Sequence, residues 1–286
     1  DPLLPSEPDA ELFAAQMELL AKHCSVLPLP EAARRLRERT LPRAAVCVTF
    51  DDGYRNNLEI ALPVLQRYGL PATVFVMQNA VETGIMWNDL VIEAVRRASE
   101  ALDLSTIGLG TVTLPPPTER AAFVLKLLEA FKYRSLLQRW EAACELYRKV
   151  SNGASPPRMM LTERELHRLA QSGIDIGGHT VNHHILATLS EDEARREIVD
   201  GAEWLTRVTG RRPVSFAYPN GRPGRDFGPA HMRLVREAGF ELAVSTEWAC
   251  ARHNSDAYAL PRMSFCDTPA SLFTSRIFRS FLGSWR

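Results

Sequence analysis

The chain has 286 residues, with 34 Lys and Arg balanced by 34 Asp and Glu, and it is 45% hydrophobic and 24% charged. Zero formal charge excludes a global field that would draw the chain to nucleic acid or an anionic lipid surface, and no apolar run approaches the ~20 residues of a membrane span. Five scattered cysteines without Cys-x-x-Cys spacing point to neither a thiolate metal site nor a disulfide framework and lean towards a reducing compartment. No signal peptide opens the sequence at DPLLPSEPD, so a cytoplasmic location is expected ahead of a periplasmic or exported one.

A Pro-rich start (residues 2–8) leads into a helix expected over Glu11–Lys22 with an apolar face, then a second over Glu31–Arg39. Ala44–Phe50 (AAVCVTF) is a short apolar run rich in β-branched residues and predicts a strand buried on both faces, with Cys47 as a small core residue. Asp51-Asp52-Gly53 ends that strand, a helix is expected over Leu58–Tyr68, and Pro71–Met77 (PATVFVM) predicts the next buried strand. Strand, loop, helix and strand in this order are the mark of a parallel sheet.

From about Trp87 the pattern changes. Helical stretches over Asp89–Leu102, Glu119–Leu137 and Trp140–Val150 flank a Pro-rich piece, Leu114–Thr118, and together predict a helical insertion. It is expected to flank the catalytic edge or close over it as a lid, and to add no strand to the barrel. The alternation resumes with a helix at Thr162–Ser172, in which Thr162 and Glu165 have capping-box spacing. Strand Ile174–Gly178, helix Glu191–Thr209, strand Val214–Tyr218, helix Pro229–Ala238 and strand Leu242–Ser245 follow. A barrel-like α/β domain is expected, as one domain over residues 1–286 with the insertion at about 87–158.

Three clusters sit where a predicted strand gives way to a loop, the catalytic edge of an α/β barrel. In Thr49-Phe50-Asp51-Asp52-Gly53-Tyr54, adjacent carboxylates repel and lose solvation, an expensive arrangement unless a cation or proton resolves it. Alone, the pair would more simply cap the next helix. In Gly177-Gly178-His179-Thr180-Val181-Asn182-His183-His184, three of the chain's seven histidines gather, and neutral imidazole is a common zinc ligand. An incidental polar-loop role suits His184 better than His179 or His183. Two His and one carboxylate would leave a coordination position open, as catalytic rather than structural zinc requires. The third cluster, Ser215-Phe216-Ala217-Tyr218-Pro219-Asn220-Gly221, reads as a strand entering a tight turn whose N–H groups could face an oxyanion, or simply as a turn.

TFDDGY, HTVNH and FAYPNG, in that order, resemble the signature of the polysaccharide deacetylases (the NodB-homology domain, carbohydrate esterase family 4), in the branch with a FAYP-type third motif. The resemblance runs from near Phe13 to Leu260-Pro261-Arg262-Met263, the insertion apart. It implies a distorted (β/α) barrel, Zn2+ or another divalent transition metal on Asp52, His179 and His183, and Asp51 as general base. It further implies the backbone N–H of Asn220 at the oxyanion, with Tyr218 and Tyr54 beside the substrate. The activity it implies is hydrolysis of the N-acetyl group of an amino sugar in a polysaccharide or glycoconjugate, as in exopolysaccharide production.

Two departures from the family pattern matter. Ala217 stands where many members carry an Arg that orients the base. Arg262 is the substitute expected here, because a guanidinium fork suits a carboxylate; an ordinary salt bridge is the competing role. The family's general-acid His has no counterpart in the chain, and the FAYP-type branch places it on an opening strand, upstream of Asp1. Trp87, Trp248 and Tyr54 could offer faces to a sugar ring, although core packing is the commoner fate of Trp. Other readings are a deformylase or amidase acting on another small amide, and a metal-containing carbohydrate-binding protein without catalysis. The expected partner is an N-acetylated oligo- or polysaccharide, with no nucleic acid and no membrane span, and the sequence leaves oligomeric state open.

Overall fold

The computed structural model describes residues 1–283 apart from 133 and 267. Nine strands occur among them: β1 (Ser25–Val26), β2 (Ala45–Val46), β3 (Val48–Phe50), β4 (Ala72–Val76), β5 (Ala101–Asp103), β6 (Thr111–Thr113), β7 (Asp175–Gly178), β8 (Ser215–Ala217) and β9 (Leu242–Val244). β3, β4, β7, β8 and β9 form, in that order, one parallel sheet curled as a half-barrel. β1 and β2 make a separate parallel pair. The architecture is the distorted (β/α) barrel that the resemblance implies, and it bears out the barrel-like α/β domain expected from the strand–helix alternation.

The chain divides into two compact units, Pro8–Glu82 with Leu161–Arg286, and Asp1–Glu7 with Thr83–Met160. In the first, the period of two along β4 fixes its two faces. Val74 and Val76 pack with Leu62, Leu65, Leu166, Leu169, Trp204 and Leu205. Phe75, fully buried, faces the other way with Ala217, Leu242 and Val244. Because all five strands are parallel, their carboxyl ends lie at one edge. Asp51 follows β3, His179 follows β7, Tyr218 follows β8 and Ser245 follows β9.

Several expected elements are corrected. Ala44–Phe50 is not one buried strand. It breaks at Cys47 into β2 and β3, and most of it is half-buried, since β3 is an outer strand of the sheet. The helix expected from Leu58 opens as a π-turn over Asn57–Ala61, where the Leu62 N–H reaches the Asn57 carbonyl, before an α-helix at Leu62–Tyr68. Pro63 has no N–H for the carbonyl four residues back, and the wider turn ahead of it accommodates that loss. A helix at Ala270–Gly283 places Phe273 and Ile277, one turn apart, in the core; the sequence reading gave no element there.

In the second unit the helix from Trp87 stops at Arg97, and β5 and β6 then pair as an antiparallel hairpin. Leu102, Leu104 and Ile107 are buried there, where the sequence reading carried the helix on to Leu102. Ser135 caps a new helix at Leu136–Val150 by accepting from the Gln138 N–H, which separates it from Arg120–Lys132. Among the described residues, no strand from this unit joins the five-stranded sheet.

Candidate metal and catalytic site

β7 is packed on both faces by aromatic rings. A Cβ at Gly177 would lie 2.4 Å from Phe75 Cδ1, and one at Gly178 would lie 2.8 Å from Phe240 Cζ. Glycines let the strand pass between these rings and deliver His179 to the edge almost fully buried, at 2% exposure. His179 Nδ1 lies 2.7 Å from the Ala217 carbonyl, an acceptor only, so Nδ1 carries a proton and Nε2 is the nitrogen turned inward, towards Asp52. Ala217, where an Arg might have stood, thus contributes its backbone.

The Nε2 atoms of His179 and His183 lie 3.4 and 3.3 Å from the same atom, Asp52 Oδ1. That oxygen is buried and accepts no hydrogen bond. The three ligand atoms all lie within 4.8 Å of one another. A buried carboxylate oxygen facing imidazole nitrogens without a hydrogen bond is a donor set shaped for a cation, so these residues fit a divalent metal. Among the described residues this is the one group of His, Cys, Asp or Glu with such spacing.

Asp51 is treated differently. Arg262 Nη1 and Nη2 donate to its two oxygens at 2.8 and 2.9 Å, while Nη1 also reaches Thr49 Oγ1 at 3.2 Å and Nε reaches the Ser245 carbonyl at 3.1 Å. Burial pushes the Asp51 carboxyl up, but the Arg262 charge and its hydrogen bonds outweigh that and hold it at about 2. Burial likewise works against ionisation of Asp52, and the two imidazoles overcome it, leaving its carboxyl lowered. His179 is raised, since its carboxylate neighbours outweigh its burial.

The backbone is strained along this edge. Of the seven non-glycine residues with positive φ among those described, four are Asp52 (72°), Thr180 (64°), His183 (55°) and Asn220 (59°). Such outliers persist where surrounding structure over-determines them, most often at functional sites. The Asn220 carbonyl accepts from Thr246 Oγ1 at 2.6 Å, which ties the turn after β8 to the loop after β9. Tyr54 is half-buried at the end of the Asp-Asp-Gly turn, and its carbonyl accepts from the Asn57 N–H at 3.0 Å.

The comparisons decide the family. The polysaccharide deacetylase family matches residues 38–243. The chain belongs to that family. YxkH of Bacillus subtilis (strain 168), named as a polysaccharide deacetylase candidate, is 22% identical over 253 residues; the match covers 88% of this chain, which spans 63% of the relative's length. The deacetylase PplD of Streptococcus pyogenes, solved with acetate, superposes with a TM-score of 0.62 at 18% identity, covering 95% of this chain and 86% of that one. IcaB of Ammonifex degensii gives a TM-score of 0.59 at 18% identity, with 95% and 89% covered. These likenesses bear on the fold.

Within this family member the structure departs from one expectation. Tyr218, expected to face the substrate, does not offer its ring to an open surface. Its ring is buried and stacked on Phe227 at 3.7 Å, and its hydroxyl donates to the Tyr258 carbonyl. Side chains alternate along a strand and its extension, so the residue after Ala217 turns into the core. Trp87 has the commoner fate of a Trp, in the core of its own unit, stacked on Phe131 with Arg139 over its face. Trp248 is 61% exposed, braced edge-on by Phe265.

One residue escaped the sequence reading. Glu197, buried on the helix Glu191–Thr209, accepts hydrogen bonds from the Val181 and Asn182 N–H groups and from Asn182 Nδ2. The available signal was a carboxylate inside the apolar stripe Ala194, Ile198, Ala202, Leu205. A charge there is buried and needs partners.

Proposed function

We propose that this chain removes N-acetyl groups from the amino sugars of a polysaccharide or glycoconjugate, using a divalent transition metal, zinc first among them, held by Asp52, His179 and His183. The observation that carries the reading is the division between adjacent carboxylates: Asp52 faces two imidazole nitrogens, and Asp51 is gripped by Arg262. A divalent cation would be held between the side chains of Asp52, His179 and His183, whose nitrogen and oxygen atoms are the donor types such ions take. Asp52 Oδ1 lies 3.4 and 3.3 Å from the two imidazole nitrogens, and all three ligand atoms fall within 4.8 Å of one another.

A divalent cation there would supply Lewis acidity, making water nucleophilic near neutral pH and polarising an acyl oxygen. Asp51, held at about 2, is ionised throughout the neutral range and can accept a proton without first losing one. Arg262 keeps both Asp51 oxygens oriented, which a purely sugar-binding protein would not need. The Asn220 N–H is proposed as a second donor to the developing oxyanion, and Tyr54 as a contact to the sugar.

The test is acetate release from an N-acetylglucosamine oligomer by chelator-treated protein, before and after zinc is returned. Activity that is lost on chelation and restored by zinc is expected. Undiminished release from exhaustively stripped protein, or none under any metal, would sink the proposal.

A further inference from the structure

The segment His179–His183 carries two of the three ligands in an unfavourable backbone. Thr180 and His183 both have positive φ, at 64° and 55°, and a β-branched residue rarely occupies that region. Something must hold it. Thr180 Oγ1 accepts from the His183 N–H at 2.9 Å, and the Val181 carbonyl accepts from the Asn79 N–H at 2.9 Å.

The larger part of the grip comes from the helix Glu191–Thr209. Glu197 Oε2 accepts from the N–H groups of Val181 and Asn182 at 3.1 and 2.8 Å, and Oε1 accepts from Asn182 Nδ2 at 2.6 Å. His184 Nδ1 lies 3.1 Å from Oε1. Burial favours the protonated carboxyl, but these neighbours keep it lowered. One turn along the same face, a Cβ at Gly201 would come within 3.2 and 3.3 Å of the Thr180 carbonyl carbon and oxygen. The helix backbone therefore lies against the loop, and a side chain at 201 would require the loop to give by a few tenths of an ångström.

From this arrangement we propose that Glu197, aided by Gly201, is a positioning residue that presets His179 and His183 for the cation, so that metal affinity depends on it. The inference rests on reading Asp52, His179 and His183 as metal ligands. A loop already held in its liganding shape loses no conformational freedom when the ion arrives, and removing the hold transfers that cost to binding. A carboxylate that merely joined helix to loop would affect stability and leave affinity alone.

The experiment measures the zinc Kd of metal-stripped wild type, Glu197→Ala, Glu197→Gln and Gly201→Ala by competition with a chromophoric chelator. Circular dichroism and amide hydrogen exchange at residues 181–183 accompany it. Folded Glu197→Ala should bind zinc roughly 10–100-fold more weakly, as loss of an outer-shell partner typically does, with faster exchange at 181 and 182. Glu197→Gln keeps one oxygen for the two N–H groups and should lose less. Gly201→Ala keeps the carboxylate, displaces Thr180, and should also weaken binding. Wild-type affinity in Glu197→Ala and Gly201→Ala would overturn the inference. If Glu197→Ala fails to fold, wild-type affinity in both remaining variants does the same. A wild-type chain that binds no zinc overturns the ligand assignment as well, whereas zinc binding without acetate release overturns only the proposed activity.

Discussion

Arg262 and Asp51 are 211 positions apart in sequence, yet the guanidinium donates to both carboxylate oxygens, at 2.8 and 2.9 Å. Two parallel hydrogen bonds fix the plane of the carboxylate as well as its charge. Loss of the fork should therefore have two consequences. Misorientation of the proposed base should lower kcat/KM on the order of 10²-fold in Arg262→Ala. Burial, no longer opposed by the guanidinium, should raise the Asp51 carboxyl from about 2. A higher pKa means that the proton-accepting form is lost at a higher pH, so the acidic limb of the kcat/KM profile should move upward. Arg262→Lys restores charge without the fork and should recover the pH profile better than the rate. An unchanged acidic limb in Arg262→Ala would separate Asp51 from the rate-limiting proton transfer.

Asp51→Asn is expected to keep the metal and lose about 10²–10⁴-fold in turnover, the usual contribution of general base catalysis. The amide has nearly the same outline but cannot take the proton. Metal analysis and acetate release on the same preparation check both halves. If the variant lost its metal too, the roles of Asp51 and Asp52 would have to be exchanged.

His179→Ala and His183→Ala should each abolish stoichiometric zinc binding, since each removes one of three converging ligand atoms. His184→Ala should retain one equivalent, because His184 lies against Glu197 and outside that set. Elemental analysis after gel filtration distinguishes these outcomes. Full occupancy in both of the first two variants would refute the assignment.

What the sequence made legible was local. Asp51-Asp52-Gly53, the histidine octapeptide and the Tyr218-Pro219-Asn220-Gly221 turn are contiguous, and each stands at the end of an apolar run, so a parallel sheet brings them to one edge. Arg262 could be reached only by asking what replaces an absent guanidinium, and the geometry answers with a bidentate pair. Glu197 stayed hidden because two of its partners are backbone N–H groups, which any residue supplies and no side-chain pattern records, and the other two, the side chains of Asn182 and His184, lie on a different element. Tyr218 was misread for the opposite reason: it lies inside a motif, but strand alternation turns its ring into the core. The hairpin of β5 and β6 was lost because strands of three residues are too short to show a period.

The last prediction concerns Trp248. This side chain is 61% exposed in a structure where few large apolar residues are. Its ring is held edge-on by Phe265 with centroids 5.3 Å apart, so it is braced without being covered. It follows Glu247, whose carbonyl accepts from the Arg262 N–H at 3.0 Å, and therefore stands on a loop tied to the backbone of the residue that orients the proposed base. A flat ring presented at the rim of such a site could stack on a pyranose face. Trp248→Ala should then raise KM for an N-acetylglucosamine oligomer roughly 5–10-fold, equivalent to about 1 kcal/mol or slightly more. Zinc content should be unchanged, and so should hydrolysis of a small activated aryl acetate, which is too short to reach a neighbouring sugar position. Equal losses on oligomer and aryl acetate would indicate instead that Trp248 supports the loop carrying Arg262. In that case the Arg262-dependent pH profile should shift with it, and a Trp248→Phe variant, with its smaller ring still braced by Phe265, should restore both activities together.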